Sequence, residues 1–128
     1  MKAPSDAVVF EGDLATFWFE EDLLCAHAKS CGRTLEKQKE NYDLVRRISG
    51  NKKVCLLTDV TSVSPQDKET RDYMAAELPN VFKAMAVVSS SVWGKFVTNL
   101  FLALKQQPIP IKFFSSEAEA REWIKQYL

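Results

Sequence analysis

A chain of 128 residues can bury one core without disulfides or metal, and a single domain over residues 1–128 is the expectation. Its 46% hydrophobic and 27% charged residues are those of an ordinary globular protein, and no apolar run nears the roughly 20 residues a membrane span requires. Seventeen basic and seventeen acidic residues cancel, so no broad field draws nucleic acid or anionic lipid to the surface.

Along the chain, Val8 and Phe10 precede a Gly12-Asp13 turn. Phe17 and Phe19 then point one way while Thr16, Trp18 and Glu20 point the other, the pattern of a strand with two unequal faces. Glu21-Asp22 turns the chain into residues 23–28, which predicts antiparallel hairpins. A first helix follows Thr34 as N-cap, with Glu36 near the positive end of its dipole, Leu35, Tyr42, Val45 and Ile48 at helical spacing, and Gly50 as terminator. The run 54–58 has no polar alternation, as in a central strand covered on both faces, and Asp59 marks its predicted exposed end.

Ser64 is the predicted N-cap of a second helix, with Pro65 at its first position, Asp67 at its third, and Pro79 as its stop. Residues 84–88 read as another buried strand, 89–91 as a capping run and 92–104 as a third helix. Pro108 and Pro110 frame the passage to a strand over 111–114. A last helix opens at Ser116 with Glu119 in capping-box position and puts Ala120, Trp123, Ile124 and Tyr127 on one face. Two or three hairpin strands followed by βαβαβα units predict an α/β fold whose mixed sheet runs parallel in its later strands.

Few residues suggest chemistry. His27 is the only histidine and has no evident third member beside Cys25, so a Cys-His nucleophile is not expected. Cys25, Cys31 and Cys55 form no even disulfide set and no C-x-x-C pair; a reducing cytoplasm suits them, and the opening MKAPSDAVVFEGD lacks the continuous apolar stretch of a signal peptide. There is no phosphate-cradling glycine motif, no cofactor motif and no clustered metal-ligand spacing. From Lys29 to Lys53 eight basic residues face three acidic ones, with Arg46, Arg47, Lys52 and Lys53 placed to complement a helix C-terminus.

Two regions stand out. In the predicted helix over 92–104, Trp93, Phe96, Val97, Leu100 and Phe101 belong to an apolar arc wider than one buried stripe, which the chain's own segments, a second copy or an apolar ligand must cover. The strand end at Asp59 gathers Ser62, Ser64, Lys68 and Arg71 at the kind of strand terminus where α/β sheets place their contacts. Both are candidate interaction surfaces, with Asp67–Arg71 and Lys68–Asp72 also spaced for ordinary helix-surface ion pairs.

The strand VCLLTDV with its loop and capped helix, the run KETRDYMA, the ending PIPIKFFSSEAEAREWIKQY and the element order together resemble the small bacterial proteins grouped with STAS domains and anti-sigma-factor antagonists. That resemblance implies a SpoIIAA-like fold and a non-enzymatic, regulatory protein-binding role with homodimerisation and no cofactor. Comparison of related domains with lipid-transfer proteins of the CRAL-TRIO type adds the alternative of a carrier or sensor of a small apolar ligand. Phospho-switch antagonists carry an Asp-Ser-Ser-Gly-like sequence at the start of the helix after this strand. Here Asp67, Lys68, Glu69 and Thr70 fall on that segment, so the serine position holds Lys or Glu and the switch does not carry over.

Overall fold

The computed structural model describes residues 1–29, 31–59, 66–89 and 109–128, and its six strands form one sheet in the order β1-β2-β3-β4-β5-β6. β1 (Val9–Glu11), β2 (Ala15–Glu20) and β3 (Leu23–Ala28) are antiparallel neighbours; β4 (Val54–Asp59), β5 (Phe82–Val88) and β6 (Ile111–Phe114) each run parallel to the strand before them. The helices are α1 (Leu35–Ile48), α2 (Lys68–Val81) and α3 (Glu117–Ile124), the last continuing into a short 3-10 turn at Lys125–Tyr127. The mixed sheet expected from the hairpin-then-βα order is the one found.

Alternation along the strands divides the core into two layers. Phe17, Leu24, Leu56 and Phe82 point to one face, where Tyr42 and Val45 of α1 and Leu78 and Val81 of α2 cover them. Trp18, Cys25, Cys55, Leu57, Ala84 and Ala86 point to the other, against Ala120 and Ile124 of α3. No position from Cys55 to Asp59 of β4 is more than slightly exposed, which is why its sequence shows no polar alternation.

Capping fixes the helix starts. Thr34 accepts a hydrogen bond from Lys37 N at 3.2 Å and Ser116 one from Glu119 N at 3.4 Å, both as expected. The second helix differs: Asp67, in extended conformation, accepts from Thr70 N at 2.8 Å and is itself the N-cap, so Lys68 and not Pro65 is the first helical residue. A carboxylate is as good an N-cap as a serine hydroxyl, and Asp67-x-x-Thr70 and Ser64-Pro65 were competing signals within one turn of each other. Pro79 does not stop α2 but lies in its last turn, where it forgoes one hydrogen bond to the preceding turn, and the helix runs on to Val81. The strand then begins at Phe82, earlier than the expected 84, with no linking residue. α1 ends at Ile48, and Gly50 and Asn51, both with positive φ, reverse the chain toward β4. The predicted helix over 92–104 lies outside the described residues.

One polar cluster ties α3 to the sheet. Glu20, at the end of β2, receives Arg121 Nη1 at 3.0 Å and Nη2 at 3.1 Å, Trp18 Nε1 at 2.8 Å and the Cys25 thiol at 3.3 Å. Arg121 also donates through Nε to Glu117 at 2.8 Å. The guanidinium and the indole donor hold the Glu20 carboxyl down at about 2, and burial with the adjacent carboxylate pushes the Cys25 thiol up to about 12. A second bridge, from Arg46 to Glu77, joins α1 to α2.

Because the folded pKa of Glu20 is depressed, its stabilisation is fully present above its ordinary value near 4.5 and is lost as pH falls toward 2. Glu20→Gln should therefore lower stability at pH 7 by about 2 kcal/mol, allowing for partial exposure, and the gap from the parent should close in urea titrations repeated near pH 2.5. Asp67→Ala should lower the urea midpoint in the same titration at pH 7, while Asp67→Asn, which retains a capping oxygen, should lower it less.

Candidate functional site

The last two residues of β4 point to opposite faces and define two environments. On the α3 face, Asp59 is 3% exposed, and its Oδ2 lies 2.7 Å from Nδ1 of His27, its partner in the parallel register with β3. A carboxylate accepts only, so the contact selects the imidazole tautomer with its proton on Nδ1. The amino group of Met1 approaches the same oxygen at 3.4 Å, while Oδ1 is buried with no partner among the described residues. Asp59 is thus not the exposed strand end that the sequence suggested: a buried carboxylate persists there because a neighbouring strand supplies a donor.

On the opposite face the sheet drops away. Along β3 the side chains toward α1 and α2 shrink from Leu24 to Ala26 and Ala28, and along β4 from Leu56 to Thr58. Ala28 is paired with Ala15 of β2, and Ala26 lies between Phe17 and Thr58 in register. Three alanines side by side leave the floor of a cavity of about 100 Å³, lined on its other sides by Tyr42, Leu78, Phe82, Met85 and Val87 among others. It lies toward the carboxyl ends of β3 and β4, where sheets of this class place their ligands.

Polar groups interrupt this apolar lining. Arg33, just ahead of α1, donates through Nη2 to the carbonyls of Leu14 at 3.0 Å and Lys29 at 3.4 Å, whereas its Nε is buried and has no partner among the described residues. Asn41 Oδ1 and Gln66 Oε1 are unpartnered in the same way, and both residues line the cavity with Arg33 and Gln38. Burial holds the Arg33 guanidinium below its ordinary pKa.

The sequence-based candidates do not converge on one surface. Lys68 is on the outside of α2, paired with Asp72 at 2.8 Å, and Arg71 lies one turn further along the same helix. Asp59 is buried on the α3 side of the sheet. Ser62, Ser64, Trp93, Phe96, Val97, Leu100 and Phe101 lie outside the described residues. Cys25 and His27 share a face of β3, yet Cys25 turns to Glu20 and His27 to Asp59. The His27–Asp59 pair escaped sequence reading because it depends on parallel register between residues 32 apart, though each lies two positions beyond a buried residue of the same face, Cys25 and Leu57. The cavity escaped it because its alanines come from two strands.

His27→Ala should destabilise the fold by about 1–3 kcal/mol in urea titration, since it leaves Asp59 buried with a partner removed, while Asp59→Asn with His27 retained should cost less.

No curated protein matches the chain. The crystal structure at 2.25 Å of an uncharacterised protein of the DUF3478 family from Shewanella loihica PV-4, which has a SpoIIAA-like fold, superposes with a TM-score of 0.54 over 96% of this chain and 98% of that one. At 17% identity that likeness is one of fold. A protein-family profile for a domain of unknown function, DUF7793, matches residues 17–128. The chain belongs to the DUF7793 family and carries a SpoIIAA-like fold.

Proposed function

We propose that this protein is a non-catalytic STAS-like binding module whose cavity between the sheet and helices α1 and α2 takes up a small, largely apolar molecule. The observation that carries this reading is the alanine floor: Ala15, Ala26 and Ala28 stand where the rest of the layer is filled by Phe17, Leu24 and Leu56, and a cavity of about 100 Å³ results. A void of that kind costs stability in proportion to its volume, so a chain that keeps one gains from an occupant. At about two-thirds of the roughly 150 Å³ that accommodates benzene, its size suits a short chain better than a ring.

Binding without bond-making is supported by how the reactive side chains are held. The Cys25 thiol is buried beside a carboxylate with its pKa pushed up to about 12, far from a nucleophile's range. His27 has one ring nitrogen committed to Asp59, on the opposite side of the sheet from the cavity.

A neutral probe tests the reading. Titration of the 15N-labelled protein with 1-hexanol should give saturable shifts at the amides of Ala26, Ala28, Met85 and Val87 together with a raised Tm. Ala26→Leu, which fills the floor, should raise the Tm of the free protein, by about 0.5–2 kcal/mol in stability, and abolish the shifts. Linear, non-saturating shifts scattered over the surface, unchanged in Ala26→Leu, would overturn it.

A further inference from the structure

We infer that Arg33 is the recognition residue of this cavity and that the ligand is a monocarboxylate with a short apolar tail. The inference rests on the reading of the cavity as a small-molecule site and adds the charge of the occupant.

Arg33 lines the cavity and has no carboxylate partner among the described residues, the Cys31 thiol being the one nearby group whose charge would favour its guanidinium. No Asp or Glu of the described residues forms an ion pair with it, and residues 30, 60–65 and 90–108 contain neither amino acid. The other interior guanidinium contacts are built differently: Arg121 meets Glu20 and Glu117, and Arg46 meets Asp43 and Glu77. Arg33 instead gives Nη2 to two backbone carbonyls, which hold the side chain in place, and leaves a buried Nε–H with no acceptor among the described residues. A partly buried cation without counter-charge is costly, and an anion beside it recovers that cost.

Charge count and shape select among anions. Arg33 is the only basic residue of the described lining, matching the single charge of a carboxylate better than the nearly double charge of a phosphate monoester. The planar guanidinium suits a planar carboxylate. Asn41 and Gln66 contribute amides whose oxygens lack partners among the described residues and which rotate to present either oxygen or NH2 to a polar head group. Below the head group, the alanine floor and the walls of Tyr42, Leu78 and Phe82 take hydrocarbon, and the volume accommodates a short tail.

The test compares hexanoate, 1-hexanol and hexylammonium, which share a tail and differ in head group, by NMR titration and calorimetry at pH 7. Hexanoate should bind at least tenfold more tightly than 1-hexanol, hexylammonium more weakly than either, and the Arg33 Nε–H resonance of the parent protein should shift on hexanoate addition. Arg33→Met should bring hexanoate down to or below 1-hexanol while leaving 1-hexanol binding within about twofold. Arg33→Lys, which retains charge without the planar fork, should fall between. Saturable 1-hexanol binding without preference for hexanoate, or a preference that survives Arg33→Met, would overturn the assignment of Arg33 and leave the apolar site standing. No saturable binding of any of the three would remove both. The Nε–H shift is read on the parent protein, so the result does not depend on how well the variants fold.

Discussion

Burial of β4 on both faces is the constraint from which the rest of this structure follows. A strand covered on one side only could carry polar residues on the other; β4 cannot, so its side chains from Cys55 to Leu57 divide between two hydrophobic layers, one under α1 and α2 and one under α3. The same alternation decides where polarity can return. At the strand's end Thr58 turns toward the first layer and Asp59 toward the second, and each needs a local solution: Thr58 donates to the Asp59 carbonyl at 3.2 Å and adjoins the cavity, and Asp59 takes His27.

The two layers are finished in different ways. Beneath α3, Glu20 brings together an indole, a thiol and a guanidinium, so the polar atoms at that edge are satisfied within the protein. Beneath α1 and α2, Arg33, Asn41 and Gln66 have buried atoms with no partner among the described residues, and all three line the cavity, while Asp59 Oδ1 is a like exception on the α3 side. Buried polar groups in folded proteins are almost always bonded, so the three gathered at one cavity are what the proposed ligand site rests on. The fold likeness to SpoIIAA-like proteins is compatible with this division, since that architecture fixes the strands and leaves the contents of each layer to the individual sequence.

Much of the framework could be read from residue order. The caps at Thr34 and Ser116, the hairpins around Gly12-Asp13 and Glu21-Asp22, and the uninterrupted apolar run of β4 are local signals, and local signals act before tertiary structure is known. At the second helix the sequence reading placed the cap at Ser64, three residues early, and Asp67 is the cap used. The sites were less legible because they are properties of register. An alanine in a strand is unremarkable by itself; Ala15 opposite Ala28, with Ala26 one pleat away, is a hole. Arg33 likewise reads as one more surface charge ahead of a helix until its lack of an ion pair with any described Asp or Glu is known. The apolar excess of residues 92–104 was legible in sequence, and its structural counterpart lies outside the described residues.

The direct passage from Val81 to Phe82 has a mechanical meaning. α2 and β5 share both a covalent junction without slack and a common cavity, Leu78 lining it from one side of the junction and Phe82 from the other. A flexible linker would let a helix tilt while its strand stayed in place; here any rotation of the last turn of α2 is transmitted as torque to a strand hydrogen-bonded on both edges, to β4 and β6. Such a joint resists gradual adjustment, and the pair responds to whatever fills the space between them as a single lever.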